Sequence, residues 1–437
     1  MGWNRATLAG ALCAFALVSG QAWAQAQTQA PAAPPPAADW QALGLNVGFP
    51  PPPDKRVTRD NALFFPNTAW AYQHVREINP TRAVARGGAV SPLPERKQDI
   101  SQLEVKLPDG RSVPWAEYER LTYTDAQIVL HRGRIVSETY ANGMKPETAH
   151  LMFSMTKSFV GLIAELLIAE GKLDETAKVT TYVPELADSA WAPATIRDIL
   201  DMRDGVTFNE NYADPKADVN VYARSWGWGP AAANAPRGVF EALPALKARS
   251  FEPGGPFIYR SAATDALGWA VVRAANQSLA SLVSERIWKP LGVEHDGTWA
   301  LDLAGQEIAA AGLNMTARDL ARFGEMLRND GRWNGRQIVP AAVVAKIRAG
   351  GDRDAYAAGR PSSSRLGWSY RSQFWISHDA NGSYNLFGVA GQRIYIDPKN
   401  EIVIVRFGTQ PELSNSRMQA MHDAAYAAVT ARLTGRR

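Results

Sequence analysis

Ser154 and Lys157 stand three residues apart in "FSMTKSFVGLIAELLIAEGKL". A serine hydroxyl is a poor nucleophile until a neighbouring base takes its proton. Positions i and i+3 share a helix face, so the Lys157 amine can reach the Ser154 hydroxyl. Phe159, Leu162, Ile163, Leu166 and Leu167 recur at helical spacing, and Gly171 sits where a C-terminal stop belongs. A helix apolar on most sides is buried, and burial lowers a lysine pKa until the neutral amine is available as a base. The helix N-terminus also favours negative charge beside Ser154. The plain alternative is a serine that caps the helix and a lysine that reaches solvent. Two things stand against it. Ser-x-x-Lys occurs once in the chain, and a lysine followed by Phe-Val-Gly-Leu-Ile is hard to place in water.

A second polar unit should exist to share the proton. "FEPGGPFIYRSAATDALGW" contains one: a Pro-Gly-Gly turn delivers Tyr259, and Ser261 then begins a helix. Tyr-x-Ser/Asn also occurs at Tyr140-Ala141-Asn142 and Tyr370-Arg371-Ser372, but only Tyr259 sits at a sharp turn entering a helix. Other chemistries lack their signatures. There is no G-x-S-x-G elbow, no H-E-x-x-H and no Walker loop. "GWGPAA" at Gly227 is interrupted by Pro230 and reads as a loop. The six histidines are scattered singly, without metal-ligand spacing. His150 lies four residues before Ser154 but precedes the helix, so it reads as structural. Asp214 and Asp218 could hold a substrate amine, although capping or solvent exposure is the simpler role. "YARSWGWGP" is either a pocket wall or a packed loop.

The elements that must position these residues follow from pattern. "AQIVLHRGRIVSETY" is a β-hairpin turning at Arg132-Gly133. "TIRDILDM", "DALGWAVVRAA" and "LASLVSERIWKPL" are short helices within a mostly helical region at about 176–300. "TARDLARFGEMLRN" is an amphipathic helix opened by a Thr316 cap. "QFWIS", "QRIYID" and "EIVIVRFG" are strand-like, with a turn at Asp397-Pro398-Lys399-Asn400, and a helix closes the chain. Strands at both ends with helices between them predict an α+β fold with one antiparallel sheet assembled from both chain ends.

The N-terminus has a different character. Arg5, the apolar run "ATLAGALCAFALVSG" and Ala22-Trp23-Ala24 read as a signal peptide over 1–24, cut after Ala24. The mature protein would then be periplasmic or secreted. Cleavage would remove Cys13, the single cysteine, so the mature fold is expected to hold without disulfides. Residues 25–39 are a Pro/Ala/Gln-rich tether, and 40–118 form an irregular arm or cap before a hydrolase domain at 119–437. The net charge of +4 is interspersed, without basic clusters alternating with aromatics, so nucleic acid is excluded as the expected partner. No other run of about 18 apolar residues suggests a membrane span.

Taken together, these motifs resemble the serine β-lactamase and penicillin-recognising family, over roughly residues 120 to 430. The class C-like branch of esterases and 6-aminohexanoate-dimer hydrolases is the nearest part of that family. "MFSMTKSFVGLIAELLIAEGKLD" resembles its nucleophile helix, and "EPGGPFIYRSAATDALGWAV" its Tyr-x-Asn/Ser motif. The resemblance implies a β-lactamase/transpeptidase-like fold and acyl transfer without metal or cofactor. Ser154 would be the acylated nucleophile. Lys157 and Tyr259 would share acid/base work, with Ser261 in support. The Ser154 and Val389 backbone amides would form the oxyanion hole. Tyr212 matches a loop tyrosine and Trp375 a substrate-side tryptophan, each also open to a plain packing role. The family's Lys-Thr-Gly is absent, and the matching region reads "GVAGQ". That departure favours a small amide or ester substrate over a β-lactam or a D-alanyl peptide. A non-catalytic penicillin-binding-like sensor is the alternative of another class, opposed by the intact Ser, Lys and Tyr set.

Overall fold

A computed structural model describes residues 39–229 and 233–435, and the expected signal peptide and nearly all of the tether lie outside them. Apolar alternation in the two end segments builds a seven-stranded, wholly antiparallel sheet. Its spatial order is Ser369–Arg371, Phe374–Ile376, Tyr384–Gly388, Gln392–Asp397, Ile402–Gly408, Thr124–His131, Arg134–Tyr140. The chain ends meet where Ile404 pairs with Val129 and Val403 with Leu130.

Both faces of this sheet are covered. Ala126, Ile128, Leu130, Val403 and Val405 face a core that includes Phe159 and Leu162 of the helix Met155–Ala169 and Phe323 of the helix Ala317–Arg328. Val129, Ile402 and Ile404 face a second cluster, with Trp115 and Tyr118 of the helix Trp115–Leu121 and Tyr426 and Val429 of the closing helix Gln419–Thr434. Each large apolar side chain buried this way contributes about 1.5–3 kcal/mol. That scaffold can carry a buried lysine. No helix among the described residues is long and apolar enough to cross a membrane.

The single sheet expected from sequence has a companion. Thr81–Val84, Gly297–Ala300, Leu313–Met315 and His150–Leu151 form a four-stranded sheet leading directly into Ser154. Its strands are two to four residues long, too short to show an alternation. Between Val179 and Leu291 the described residues fold as short helices and turns around one long helix, Ser261–Ala275. Thr195 caps one of the short helices through a reciprocal box with Asp198.

Close approaches fix the two long helices against the sheet edge. A Cβ at Gly161 would stand 2.1 Å from the Ser372 carbonyl oxygen, so only glycine lets the serine helix pass the edge hairpin. The Ser158 hydroxyl donates to the Gln373 carbonyl (2.7 Å). The Gln373 side chain accepts from Thr264 (2.8 Å) on the second helix and donates to the Ile199 and Leu200 carbonyls (3.2 and 2.9 Å).

Candidate active site

Ser154 opens the first helix from a strained approach. Phe153 adopts φ +46°, a left-handed conformation that costs a bulky residue about 1–3 kcal/mol. Its ring is clamped edge-on by Tyr72 (4.8 Å between centroids) and Trp228 (5.8 Å). The turn lifts Ser154 to the helix mouth, where its side chain lines a cleft of about 350 Å³.

Lys157 points back one turn. Its Nζ donates to Ser154 Oγ (2.9 Å), Ser261 Oγ (3.2 Å) and the Ala310 carbonyl (2.7 Å). Three acceptors satisfy all three protons of an ammonium. The lysine is nevertheless 1 % exposed and has no carboxylate in direct contact. Burial therefore dominates, against the more distant charges of Glu210 and Asp265, and lowers its pKa to about 8. Asp265 is pushed the other way by its own burial. It accepts from the Ala310 amide (2.9 Å), Tyr222 (3.1 Å) and Trp226 (3.0 Å), so it orients the carbonyl that Lys157 contacts.

Tyr259 and Ser261 occupy the expected turn and helix start. Lys157 Nζ lies 5.3 Å from the Tyr259 ring centroid. Burial and the Glu210 charge hold the Tyr259 phenol far above its ordinary pKa, opposed by a hydrogen bond with Ser154. It is therefore a proton donor near neutrality. Glu210 accepts from the Ser261 amide (3.0 Å), the Ser261 hydroxyl (2.5 Å) and Tyr212 (2.6 Å). Tyr212 thus reaches the cleft tied through Glu210 to Ser261 and the Ser154–Lys157 pair. Trp375 stacks on Tyr259 (5.5 Å, 27°) and is part of the cleft wall, at once packed and cleft-lining.

Val389 follows the strand Tyr384–Gly388 and faces Ser154 across the same cleft. Neither the Ser154 nor the Val389 amide has a hydrogen-bond acceptor among the described residues. The turn that carries Val389 is held from behind. Asn415 accepts from the Gly391 amide (2.9 Å) and donates to the Gly388 carbonyl (2.8 Å). The Gln392 side chain reaches the Val389, Ala390 and Gly408 carbonyls. This gives the glutamine of "GVAGQ" a positional reason.

A second, apolar pocket of about 50 Å³ also opens on Ser154, walled by Leu63, Phe153, Trp226, Trp228 and Leu413 among others. Trp226 and Trp228 come from the aromatic segment that sequence left undecided, and Leu63 from the N-terminal arm. The other singled-out residues lie elsewhere in function. His150 is buried between Asp125 (3.1 Å) and the Leu151 carbonyl (2.9 Å). Asp214 and Asp218 accept from the Lys216 and Asn209 amides and shape their loop.

Sequence reasoning missed Glu210, Asp265, Arg365 and Asn415. Glu210 stands two residues before Tyr212 in the quoted loop, so its position carried a signal. The other three reach the site through long-range packing.

Comparison with known proteins gives the chain's family and fold relatives. The beta-lactamase family pattern matches residues 122–428. The 6-aminohexanoate-dimer hydrolase of Paenarthrobacter ureafaciens is 34% identical over 357 residues, covering 81% of this chain and 88% of that protein. A solved structure from Bacillus anthracis, described as a 6-aminohexanoate-dimer hydrolase, superposes with a TM-score of 0.80. It shares 30% identity and covers 88% of this chain and 99% of that one. EstCE1, a hydrolase with promiscuous acyltransferase activity, shares the fold at 19% identity, with a TM-score of 0.56 over 69% of this chain and 93% of its own.

Proposed function

The chain belongs to the beta-lactamase family and is a serine hydrolase acting on amide or ester bonds; from that premise we propose that it works through a Ser154 acyl-enzyme on a small, linear amide or ester. The observation that carries this reading is the 2.9 Å contact between Lys157 Nζ and Ser154 Oγ at the floor of the cleft.

In acylation, neutral Lys157 takes the Ser154 proton as Oγ bonds to the substrate carbonyl carbon. The carbonyl oxygen becomes an oxyanion facing the Ser154 and Val389 amides. As the intermediate collapses, the bond to the leaving group breaks and Tyr259 gives that group its proton. Lys157 returns the proton it holds to Tyr259 and is neutral again. Water then attacks the acyl carbon and gives up a proton to the Lys157–Tyr259 pair. Ser154 leaves with that proton, and the acid is released. Ser261 and Glu210 keep Lys157 and Tyr212 in place throughout.

The absence of Lys-Thr-Gly and the apolar pocket beside Ser154 support this substrate class over β-lactams and D-alanyl peptides. The similarity to 6-aminohexanoate-dimer hydrolases supports a linear amide. We also propose export, with residues 1–24 removed, which the mass of the protein recovered from a periplasmic fraction would test. The function itself is tested with p-nitrophenyl butyrate, a linear amide dimer and nitrocefin, using wild type and Ser154→Ala. Ser154-dependent ester and amide turnover with a silent nitrocefin trace is the expected result. Nitrocefin turnover exceeding ester turnover would overturn the substrate assignment. Folded wild-type protein that turns over nothing would favour a sensor.

A further inference from the structure

We propose that Arg365 is a specificity-determining residue that receives a carboxylate of the substrate, so that the preferred amide or ester carries a free acid remote from its scissile carbonyl. This rests on the Ser154 reading above. Arg365 lines the same cleft as Ser154. Its guanidinium is gripped by two aromatic faces, 4.4 Å from the Trp375 ring centroid and 4.5 Å from that of Phe387. Its Nε is buried without a hydrogen-bond partner. Among the described residues it makes no ion pair and no side-chain hydrogen bond.

The neighbouring cation shows what is unusual here. Arg393 lies over the same Phe387 ring (4.8 Å), but it is neutralised by Asp423 (2.8 Å) and bonded to Asn385 (3.0 and 2.9 Å). Asp423 is therefore already engaged. Glu210, the acid in the cleft wall, is engaged by Ser261 and Tyr212. Among the described residues that line the cleft, Arg365 is the one cation, and its planar fork of donors is unused.

Aromatic contacts offset part of the cost of desolvating a guanidinium, but they leave its N–H groups unsatisfied. A carboxylate satisfies them in a bidentate pair, a geometry that suits arginine better than lysine. The spacing is also informative. Arg365 stacks on Trp375, Trp375 on Tyr259, and Lys157 lies beside Tyr259. Two rings thus separate the guanidinium from the base, which suits a linear chain with its acid at the far end. Hydroxyls of Ser362, Ser364, Ser414 and Ser416 line the cleft and can solvate that acid.

The test separates anion binding from turnover. Calorimetry on the Ser154→Ala protein would compare adipamic acid, a six-carbon acid amide, with its neutral diamide adipamide. The acid should bind about ten- to a hundredfold more tightly, the range of a charge-assisted hydrogen-bonded pair. Arg365→Met in the same background should erase the difference, and Arg365→Lys should restore only part of it. Near-ultraviolet circular dichroism would verify folding of each. Equal binding of acid and diamide, or a preference that survives Arg365→Met, overturns the proposal. Fluorophosphonate labelling of wild-type Ser154 reports separately on the catalytic reading.

Discussion

The helix Met155–Ala169 buries two ionisable side chains, Lys157 and Glu165, about two turns apart and each 1 % exposed. Glu165 is saturated with charge. It meets Arg197 at 2.7 Å and Lys346 at 3.1 Å, and accepts from Ser372 at 2.5 Å. Burial pushes its carboxyl up, but the Arg197 charge and these hydrogen bonds outweigh burial and hold its pKa below the usual range. Lys157 meets only hydroxyls and a carbonyl, and burial wins. The same helix thus holds one group locked in its charged form and one poised to lose a proton. The difference lies in counter-charges, not in burial. A structural ion network and a catalytic base can both look like a buried charge, and only the partners distinguish them.

The sharpest way to break this comparison is to remove each group. Lys157→Met should lower kcat/KM by about a thousandfold, the scale of lost general-base catalysis. Its stability should stay within about 1 kcal/mol of wild type or improve, because an uncompensated buried charge is removed. Tyr259→Phe should lower kcat/KM by about a hundredfold, measured with an amide whose leaving group needs a proton. The pH dependence follows from the sign of the Lys157 shift. The active form is the neutral amine, so kcat/KM should rise with pH and level off above about 8. Below that it should fall about tenfold per unit. A profile already flat from pH 6 upward would contradict the assignment. Asn415→Ala should cost about tenfold in kcat, by loosening the turn that carries Val389. Glu165→Gln should have the smallest kinetic effect, within about twofold. It should still destabilise the fold by about 2–3 kcal/mol, because Arg197 and Lys346 lose a buried partner. Denaturant unfolding of both single variants would set the two ends of the helix side by side.

What could be read from sequence was local. Ser154, Lys157, Tyr259 and Ser261 lie on or beside two helices whose periodicity and turns are explicit, so their spacing alone nearly places them. Five of the seven main-sheet strands run five to eight residues and declare themselves, and the sheet built from both ends follows from them. The four-stranded second sheet was not legible, because its pieces are two to four residues long and are scattered from Thr81 to Met315. The same limit hid Arg365, Asn415 and Asp265. Nothing in "SSSRLGW" or "LSNSRMQ" marks a cleft wall, and nothing local in "SAATDALGW" shows that Tyr222 and Trp226 close over Asp265. Trp375 packs on Tyr259 and lines the cleft at the same time, so the two readings of it do not exclude one another.

The central claim is that Lys157, lowered by burial, is the base that arms Ser154. Its most direct test is the rate of fluorophosphonate labelling as a function of pH, followed by intact mass and peptide mapping, in wild type and Lys157→Met. The account predicts one adduct on Ser154, forming faster as pH rises to about 8, and labelling slowed by about a thousandfold in the variant. An adduct on another residue, or a folded Lys157→Met protein labelled at the wild-type rate, would contradict it.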